Sequence, residues 1–310
     1  METTCDGILG HRIQLEQPRK GFRVAVDTVF LAAAVQIEPG QTALDAGCGV
    51  GGAMLCLAAR VPGIKIMGIE IQPELVELCR HNIERNGMQD RAQVVEGDIN
   101  HMRNLIPLSL WGGVAASVIP AKAGIQSASG SERKNRCFNA YDQGQGSRPS
   151  CAADAAQLDP GFRRDDACPY HDILPASFDH VLMNPPYHEA TTHDLSPDKC
   201  KLRANSEQEG ELGRWLALAA AALKPGATLT MIHRADRLEG ILERAKASSL
   251  GGGEILLVCP HENDPPSRVV LRLRKGDSLP PRQTRTIVLH DKDGRYTIEA
   301  EAILRHAEGA

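Results

Sequence analysis

The sequence predicts an α/β fold built on a largely parallel sheet, and two observations support this. Short buried apolar runs alternate with stretches of helical spacing along two parts of the chain, Phe22 to Pro107 and Ser177 onward. A turn rich in glycine follows the first strand of this series, at Gly47 to Gly52. Such alternation is typical of βαβ units, whose strands run parallel. Such a turn lets the backbone approach a ligand closely.

The elements of the first part follow from residue spacing. Apolar residues three and four positions apart predict helices, and short buried apolar runs predict strands. Pro39-Gly40 ends the first helix and Gly87 the third. In order, we expect a helix over Val24–Gln36, a strand over Thr42–Asp45, a helix over Ala53–Arg60, a strand over Lys65–Glu70, a helix over Pro73–Asn86 and a strand over Ala92–Glu96.

The second part repeats the pattern and ends in a turn-linked C-terminal element. Lys224-Pro225-Gly226 separates its first helix from the next strand, and Asp293-Gly294 indicates a turn. In order, we expect a strand over Phe178–Met183, a helix over Glu211–Leu223, a strand over Ala227–His233, a helix over Leu238–Ser248, strands over Glu254–Cys259, Arg268–Leu273 and Arg285–Leu289, and either a strand or a helix end over Tyr296–His306.

One segment, 111–170, breaks the periodicity. It is rich in Gly, Ser, Ala, Pro, Asn and Gln and poor in aliphatic residues. Such a segment buries too little apolar area to offset the entropy of ordering, so we expect a single domain over 1–310 interrupted by a flexible insertion. Its ends, Val118–Gln126 and Leu158–Asp166, resemble the translation of a palindromic repeat element of bacterial genomes. A genetic insertion into a loop is therefore expected, with a substrate-binding lid as the alternative.

Composition argues against several classes of protein. The chain of 310 residues is 42% hydrophobic and 24% charged, as in an ordinary soluble globular protein. With a net charge of -4, any RNA contact needs a local basic patch. Nine scattered cysteines without a CxxC or CxxH pair argue against a metal site and favour a reducing cytoplasm. The sequence has neither a signal-peptide pattern nor an apolar run long enough for a membrane span.

The first chemical motif is LDAGCGVGG, residues 44–52. Gly47, Gly49 and Gly51 allow a sharp turn and a close approach to a ligand where any Cβ would collide. The spacing also fits a dinucleotide fingerprint, and a plain turn with no ligand is a further alternative. Asp45 favours a different ligand. Its carboxylate would repel a pyrophosphate but suits the ammonium and sulfonium groups of S-adenosylmethionine.

Four more positions can complete a site for that cofactor. Glu70 ends the second strand of the series, where its carboxylate can accept hydrogen bonds from two ribose hydroxyls. Asp98 follows the third strand and can accept one from the adenine amino group, while Ile99 can pack on the ring. Asp27 is expected at the amino-acid end of the cofactor or, alternatively, as a helix cap. Taken singly, Glu70 and Asp98 also fit a solvated strand end and an ordinary turn.

The decisive motif is Asn184-Pro185-Pro186-Tyr187, directly after the strand Phe178–Met183. Strand ends at this edge of a parallel sheet are where ligands bind. The Asn184 side-chain oxygen and the Pro185 carbonyl can accept hydrogen bonds from a planar amino group, and Tyr187 offers a face for stacking. Two acceptors favour pyramidalisation of the nitrogen as positive charge develops, which stabilises the transition state of its methylation. The alternative is a proline-stiffened turn without this role.

Basic residues in three local clusters are candidates for phosphate contacts. The candidates from these clusters are Arg23, Lys199, Arg203 and Arg268. Because a charge run is more often a solvated face, no single cluster establishes an RNA interface.

Together these motifs resemble the bacterial tRNA1(Val) (adenine-37-N6)-methyltransferase family, within the class I methyltransferases. The resemblance covers nearly everything outside 111–170, including 21–32, LDAGCGVGG, FDHVLMNPPY, 266–270 and the tail from Ile287 to Thr297. It implies a seven-stranded, doubly wound, Rossmann-like sheet, mostly parallel with one antiparallel edge strand. It also implies that S-adenosylmethionine is held by Asp45, Gly47, Gly49, Glu70 and Asp98, and the target amine by Asn184, Pro185 and Tyr187.

From this resemblance we expect methylation of adenine N6 in tRNA. We also expect the enzyme to be monomeric and cytoplasmic and to use no metal. The two motifs do not separate nucleic-acid adenine from the glutamine amide of a protein. A protein-glutamine methyltransferase usually carries an N-terminal helical domain, for which the residues before Gly21 leave no room. A cofactor- and RNA-binding protein silenced by the insertion is a further alternative. An NAD-linked oxidoreductase would leave NPPY unexplained.

Overall fold

A computed structural model describes residues 2–20, 23–99, 176–185, 188–189, 206–207 and 211–310. The described stretches before and after the gap at 100–175 belong to one compact unit. The predicted insertion at 111–170 lies outside the described residues, so its flexibility stays a prediction.

The predicted strands and helices of both parts are present in that order, with ends shifted by a few residues. The strands are β1 (Thr3–Ile8), β2 (Ile13–Pro18), β3 (Thr42–Ala46), β4 (Lys65–Glu70), β5 (Ala92–Glu96), β6 (Phe178–Met183), β7 (His188–Glu189), β8 (Ser206–Glu207), β9 (Leu223–Arg234), β10 (Leu250–His261), β11 (Arg268–Lys275) and β12 (Arg282–His290). The helices are α1 (Val26–Ala34), α2 (Gly52–Arg60), α3 (Pro73–Arg85), α4 (Glu211–Ala222), α5 (Leu238–Ala247) and α6 (Ile298–His306).

Eight strands form the main sheet, in the order β12-β10-β11-β9-β6-β3-β4-β5. Neighbouring strands from β9 through β6, β3 and β4 to β5 all pair in parallel. The strand β11 runs antiparallel to both of its neighbours, and β12 pairs in parallel with β10. The mostly parallel sheet confirms the predicted α/β class.

The antiparallel strand does not lie at the edge of the sheet, where we expected it. The expected sheet has seven strands with the antiparallel one at an edge, whereas β11 lies between β9 and β10. The eighth strand, β12, forms the outer edge instead. The reason is that β10 pairs on both sides, antiparallel with β11 and in parallel with β12, from Glu254↔Arg282 to His261↔His290. Strand order depends on such long-range pairing, which local spacing does not encode.

Two terminal elements refine the sequence interpretation. The strands β1 and β2 form an antiparallel hairpin before the first predicted element, from Thr3↔Pro18 to Ile8↔Ile13. The segment expected as a strand or a helix end is the helix α6. The residue before it, Thr297, caps its start, because the Thr297 side-chain oxygen accepts a hydrogen bond from the Ala300 amide. A threonine in this position stabilises a helix start because it satisfies an amide that lacks a partner within the helix.

The carboxyl ends of four parallel strands meet at one edge of the sheet. Ala46 at the end of β3 pairs with Ile69 on one side and with Met183 on the other. The last residues of β4 and β5, Glu70 and Glu96, pair with each other. The loops that follow these strands carry the candidate site, at the edge where α/β sheets bind ligands.

Candidate active site

The glycine turn after β3 has the sharp, left-handed backbone that its glycines allow. Gly47 and Gly49 have φ values of +70° and +56°, in the left-handed region where residues with a side chain are disfavoured. A Cβ added to Gly47 would lie 2.4 Å from the Cη2 atom of Trp215 on α4. A Cβ added to Gly49 would meet nothing within 4 Å. The turn is thus packed tightly at Gly47 and open at Gly49, where a ligand can approach the backbone.

The Glu70 carboxylate is held against this turn by main-chain donors. Its Oε2 atom accepts a hydrogen bond of 2.9 Å from the Gly49 amide, and its Oε1 atom accepts one of 2.9 Å from the Gln72 amide. The residue is 6% exposed, and burial raises the pKa of its carboxyl group. Hydrogen bonds from the Ile71 amide and from the Gln72 side chain also reach this carboxylate and oppose the rise. An acceptor held in this way at a strand end suits a ligand that carries hydroxyl groups.

Asp45 is more deeply buried than Glu70 and contacts the start of α2. It is 2% exposed, and its Oδ2 atom accepts a hydrogen bond of 3.1 Å from the Met54 amide. Burial, together with the Glu70 charge, outweighs this bond and raises the pKa of Asp45 to about 8. The sequence predicted that this carboxylate meets a cationic ligand. That contact stays a prediction. The hydrogen bond from Met54 also joins the end of β3 to the first turn of α2.

The charges of Asp45 and Glu70 show whether S-adenosylmethionine suits this site. Neither Asp45 nor Glu70 forms an ion pair within the part of the chain that the structure describes. Two buried acids with raised pKa values favour a ligand that carries positive charge, because a nearby cation stabilises their ionised forms. A ligand that approaches over Gly49 should therefore carry a cationic group and also hydroxyl groups that donate to Glu70. S-adenosylmethionine has both. The donor set therefore fits this cofactor.

The turn after β5 lies beside Glu70. The Gly97 amide donates a hydrogen bond of 2.9 Å to the main-chain oxygen of Glu70, which fixes the turn to the end of β4. Asp98 and Ile99, the next two residues, are half-buried. The three predicted acidic positions, Asp45, Glu70 and Asp98, thus lie at or just beyond the carboxyl ends of the adjacent strands β3, β4 and β5.

The predicted acceptor motif begins at the neighbouring strand end. Because Ala46 pairs with Met183, the residues that follow them, Gly47 and Asn184, leave adjacent parallel strands side by side. Such strands are about 4.8 Å apart. Asn184 is half-buried and Pro185 is buried. The other predicted residues of this motif and of the nearby basic cluster lie outside the described residues: Pro186, Tyr187, Lys199 and Arg203.

Two predicted residues from distant parts of the chain form an ion pair at the same edge. The Nε atom of Arg268 lies 2.8 Å from the Oδ2 atom of Asp27, and both side chains are partly exposed. Arg268 begins the antiparallel strand β11 opposite Arg234, the last residue of β9, which places the pair at the carboxyl edge. The capping alternative for Asp27 is wrong, since the N-cap residue of α1 is Ala25.

Arg23, predicted as a phosphate contact, bonds the N-terminal hairpin. Its guanidinium lies 2.7 Å from the Asp6 carboxylate and donates to the Thr4 hydroxyl at 3.0 Å and to the Pro18 carbonyl at 2.9 Å. A hydrogen bond from Gln17, together with the Thr4 and Arg23 contacts, lowers the pKa of Asp6. These contacts give Arg23 a structural role, and its predicted contact with RNA stays a prediction.

The sequence interpretation missed Trp215 as part of this site. Its ring packs against Gly47, and the residue is 7% exposed. Its indole Nε1 atom is buried without a hydrogen-bond partner among the described residues. The available signal was its rarity, because the chain has two tryptophans and this one lies on a helix of mostly small and aliphatic residues.

The described residues contain no cluster of three or more metal-ligating side chains. No helix among them is both long and apolar enough to cross a membrane.

Comparison with known proteins identifies similarities at three levels. A family model described as a methyltransferase domain matches residues 37–108, which include the glycine turn, Glu70 and Asp98. The tRNA1(Val) (adenine(37)-N6)-methyltransferase of Porphyromonas gingivalis is 24% identical over 294 residues, covering 93% of this chain and 89% of that protein. The ribosomal protein L11 methyltransferase of Burkholderia mallei is 39% identical, but over 92 residues, 27% of this chain and 30% of that protein.

A solved structure shares the fold over nearly the whole chain. It belongs to a predicted O-methyltransferase from Agrobacterium tumefaciens, with a TM-score of 0.58 and 19% sequence identity. The similarity covers 92% of this chain and 97% of that one.

Proposed function

Because the chain is an S-adenosylmethionine-dependent methyltransferase of the class I fold, we propose that it methylates an exocyclic amino nitrogen, namely N6 of adenine in tRNA. The observation that carries this proposal is the position of Asn184 and Pro185, at the strand end beside the glycine turn. We further propose that the protein acts as a monomer in the cytoplasm.

The cofactor half of the proposed site consists of strand ends. When bound, S-adenosylmethionine supplies an electrophilic methyl group on its sulfonium. Glu70 is proposed to accept hydrogen bonds from the ribose hydroxyls, and Gly47, Gly49 and Gly51 to let the backbone approach the amino-acid portion. The proposed role of Asp45 is to hold the turn and face the positive charge, with Asp27 near the amino-acid end. Asp98 and Ile99 are proposed to contact the adenine ring.

The acceptor half is proposed to hold a planar amine that is a poor nucleophile. The Asn184 side-chain oxygen and the Pro185 carbonyl each accept one N–H of the target. As the nitrogen gains positive charge, both hydrogen bonds strengthen, so they stabilise the transition state more than the ground state. Pro185 and Pro186 keep this loop stiff, and Tyr187 stacks on the target base. The proton can leave after methyl transfer, so no strong base is needed.

The extent of the similarity supports tRNA as the acceptor. The tRNA-methylating relative matches 93% of this chain, whereas the protein-methylating relative matches 27%. This coverage, at 24% identity, supports the acceptor that the position of Asn184 and Pro185 indicates. Lys199, Arg203 and Arg268 are proposed to contact tRNA phosphates.

An acceptor assay tests the proposal. The purified full chain is given S-adenosylmethionine with a deuterated methyl group, together with unmodified tRNA, a release factor and ribosomal protein. We expect the label in N6-methyladenosine after digestion of the tRNA. Label in protein glutamine would support the glutamine methyltransferase instead. Absence of label from every acceptor, with the cofactor bound, would support the silenced protein.

A further inference from the structure

A buried asparagine on α3 contacts both the N-terminal hairpin and the glycine turn. Asn82 is 0% exposed. Its Oδ1 atom accepts a hydrogen bond of 2.7 Å from the Glu16 amide, and its Nδ2 atom donates one of 2.8 Å to the Glu16 carbonyl. The same Nδ2 group donates a second bond, of 3.0 Å, to the carbonyl of Val50 in the glycine turn. One side chain therefore joins two segments that are far apart in sequence.

A second asparagine, Asn86, lies one helical turn later and makes the same pair of bonds to the hairpin. Its Nδ2 atom also donates a hydrogen bond of 2.7 Å to the main-chain oxygen of Asn82. Asn86 accepts a hydrogen bond from the Gln14 amide and donates one to the Gln14 carbonyl, both of 2.9 Å. Four residues of an α-helix rise about 6 Å, and two residues of a strand span about 6.8 Å. The two amides thus match alternate residues of β2. They close the free edge of that strand as a neighbouring strand would.

The Val50 contact distinguishes Asn82 from Asn86. Val50 lies directly after Gly49, whose amide is held by the Glu70 carboxylate. The turn is therefore fixed at two adjacent residues, by Glu70 at an N–H group and by Asn82 at a carbonyl. Without the Asn82 donor, the Val50 carbonyl would lose a partner in a buried environment, and such a loss favours rearrangement of the loop.

We propose that Asn82 is a positioning residue for cofactor binding, through which the N-terminal hairpin stabilises the open, binding-competent form of the glycine turn. Asn82 does not touch the cofactor in this account. It holds the Val50 carbonyl so that the Gly49 backbone and the Glu70 carboxylate face the ligand together. The inference concerns the cofactor half only and does not depend on which acceptor is methylated.

Matched variants test the proposal by binding of S-adenosylhomocysteine, measured by calorimetry. Asn82→Ala is expected to raise the dissociation constant about tenfold, the effect of one unsatisfied buried carbonyl, whereas Asn86→Ala leaves it within about twofold. Both variants lower Tm, because both open the edge of β2. Asn82→Asp keeps the acceptor for Glu16 but loses the donor, so it is expected to resemble Asn82→Ala in binding. Equal dissociation constants for the Asn82 and Asn86 variants would overturn the proposal.

If the Asn82 variants fail to fold, a measurement on the wild-type protein tests the proposed role of Asn82. Coupling between two sites is reciprocal, so ligand bound at the turn must stabilise the hairpin contact. We expect S-adenosylhomocysteine to slow hydrogen exchange of the Glu16 amide, which Asn82 holds, more than that of the Gln14 amide, which Asn86 holds. Equal slowing of exchange at the two amides would contradict the coupling between the glycine turn and the hairpin. So would unchanged exchange at Glu16 when the amides of the turn are protected.

Discussion

The cofactor half and the acceptor half of the site differ in how they are built. Apart from Asp27, the cofactor half lies in one continuous stretch, 45–99, and its Asp45 and Glu70 carboxylates accept hydrogen bonds from main-chain amides of the same stretch. The acceptor half begins at Asn184 on β6, which reaches the glycine turn only through strand pairing. Cofactor recognition therefore depends mainly on neighbouring segments of the chain, whereas acceptor recognition depends on the pairing of distant strands. Substitutions should therefore affect the two halves independently.

The largest expected effect comes from removing the acceptor oxygen. Asn184→Ala should reduce kcat about a hundred- to a thousandfold, the usual cost of losing a transition-state hydrogen bond. Steady-state turnover on tRNA and calorimetric binding of S-adenosylhomocysteine measure the two halves separately, and binding should change less than about threefold. Asn184→Asp, which keeps an acceptor oxygen, is the matched control and should retain more turnover. Equal loss of cofactor binding and turnover in Asn184→Ala would contradict the prediction that the two halves of the site act independently.

The opposite pattern is expected for the cofactor half. Glu70→Gln should raise KM for S-adenosylmethionine about thirtyfold while kcat at saturation changes little, because hydrogen bonds to a charged group contribute about 2 kcal/mol. The measurement is the KM for the cofactor at saturating tRNA. Asp179→Asn is a suitable control, since that carboxylate bonds Thr42 and Lys224 at the other end of β6. If Glu70→Gln lowers kcat and leaves KM unchanged, its proposed role is wrong.

Packing beneath the turn gives a smaller effect, on stability. Gly47→Ala combines a left-handed backbone with a Cβ only 2.4 Å from Trp215, so the ring or the turn must shift. Gly87→Ala is a matched control, with φ of +63° and nothing within 4 Å of the added Cβ. Urea unfolding should show Gly47→Ala to be about 1.5 kcal/mol less stable than the control, the cost of overpacking. Equal free energies of unfolding would mean that Trp215 does not constrain the turn.

The smallest expected effect is a pH dependence of cofactor binding through Asp45. Its folded pKa of about 8 lies above the unfolded value, so the folded protein without ligand binds a proton here that the unfolded chain releases. This group's contribution to stability is therefore present at low pH and is lost as pH rises toward 8. A cationic ligand favours the ionised form, so cofactor affinity should rise severalfold between about pH 6 and about pH 9. Asp45→Asn should flatten that part of the affinity profile relative to the wild type. An unchanged profile would contradict the account.

Sequence patterns predicted the features that depend on neighbouring residues. The strand ends at Glu70 and Met183 and the glycine turn follow from local spacing and backbone chemistry, and the structure has them. The interior position of β11 and the contact of Asn82 with Glu16 were not predictable in this way. Asn82 and Glu16 are 66 residues apart, and an asparagine on a polar helix looks like a solvated residue until the hairpin is placed against it. The contact between Trp215 and Gly47 also joins distant parts of the chain, so local spacing does not predict it.

The most direct test of the account is a crystal structure of the full chain with S-adenosylhomocysteine bound. We predict that its ribose hydroxyls contact the Glu70 carboxylate, and that its sulfur faces Asn184 across a gap that admits a flat amino group. A complex in which the ligand contacts Glu70 but the Asn184 side chain points away from the sulfur would contradict amine methylation at this site.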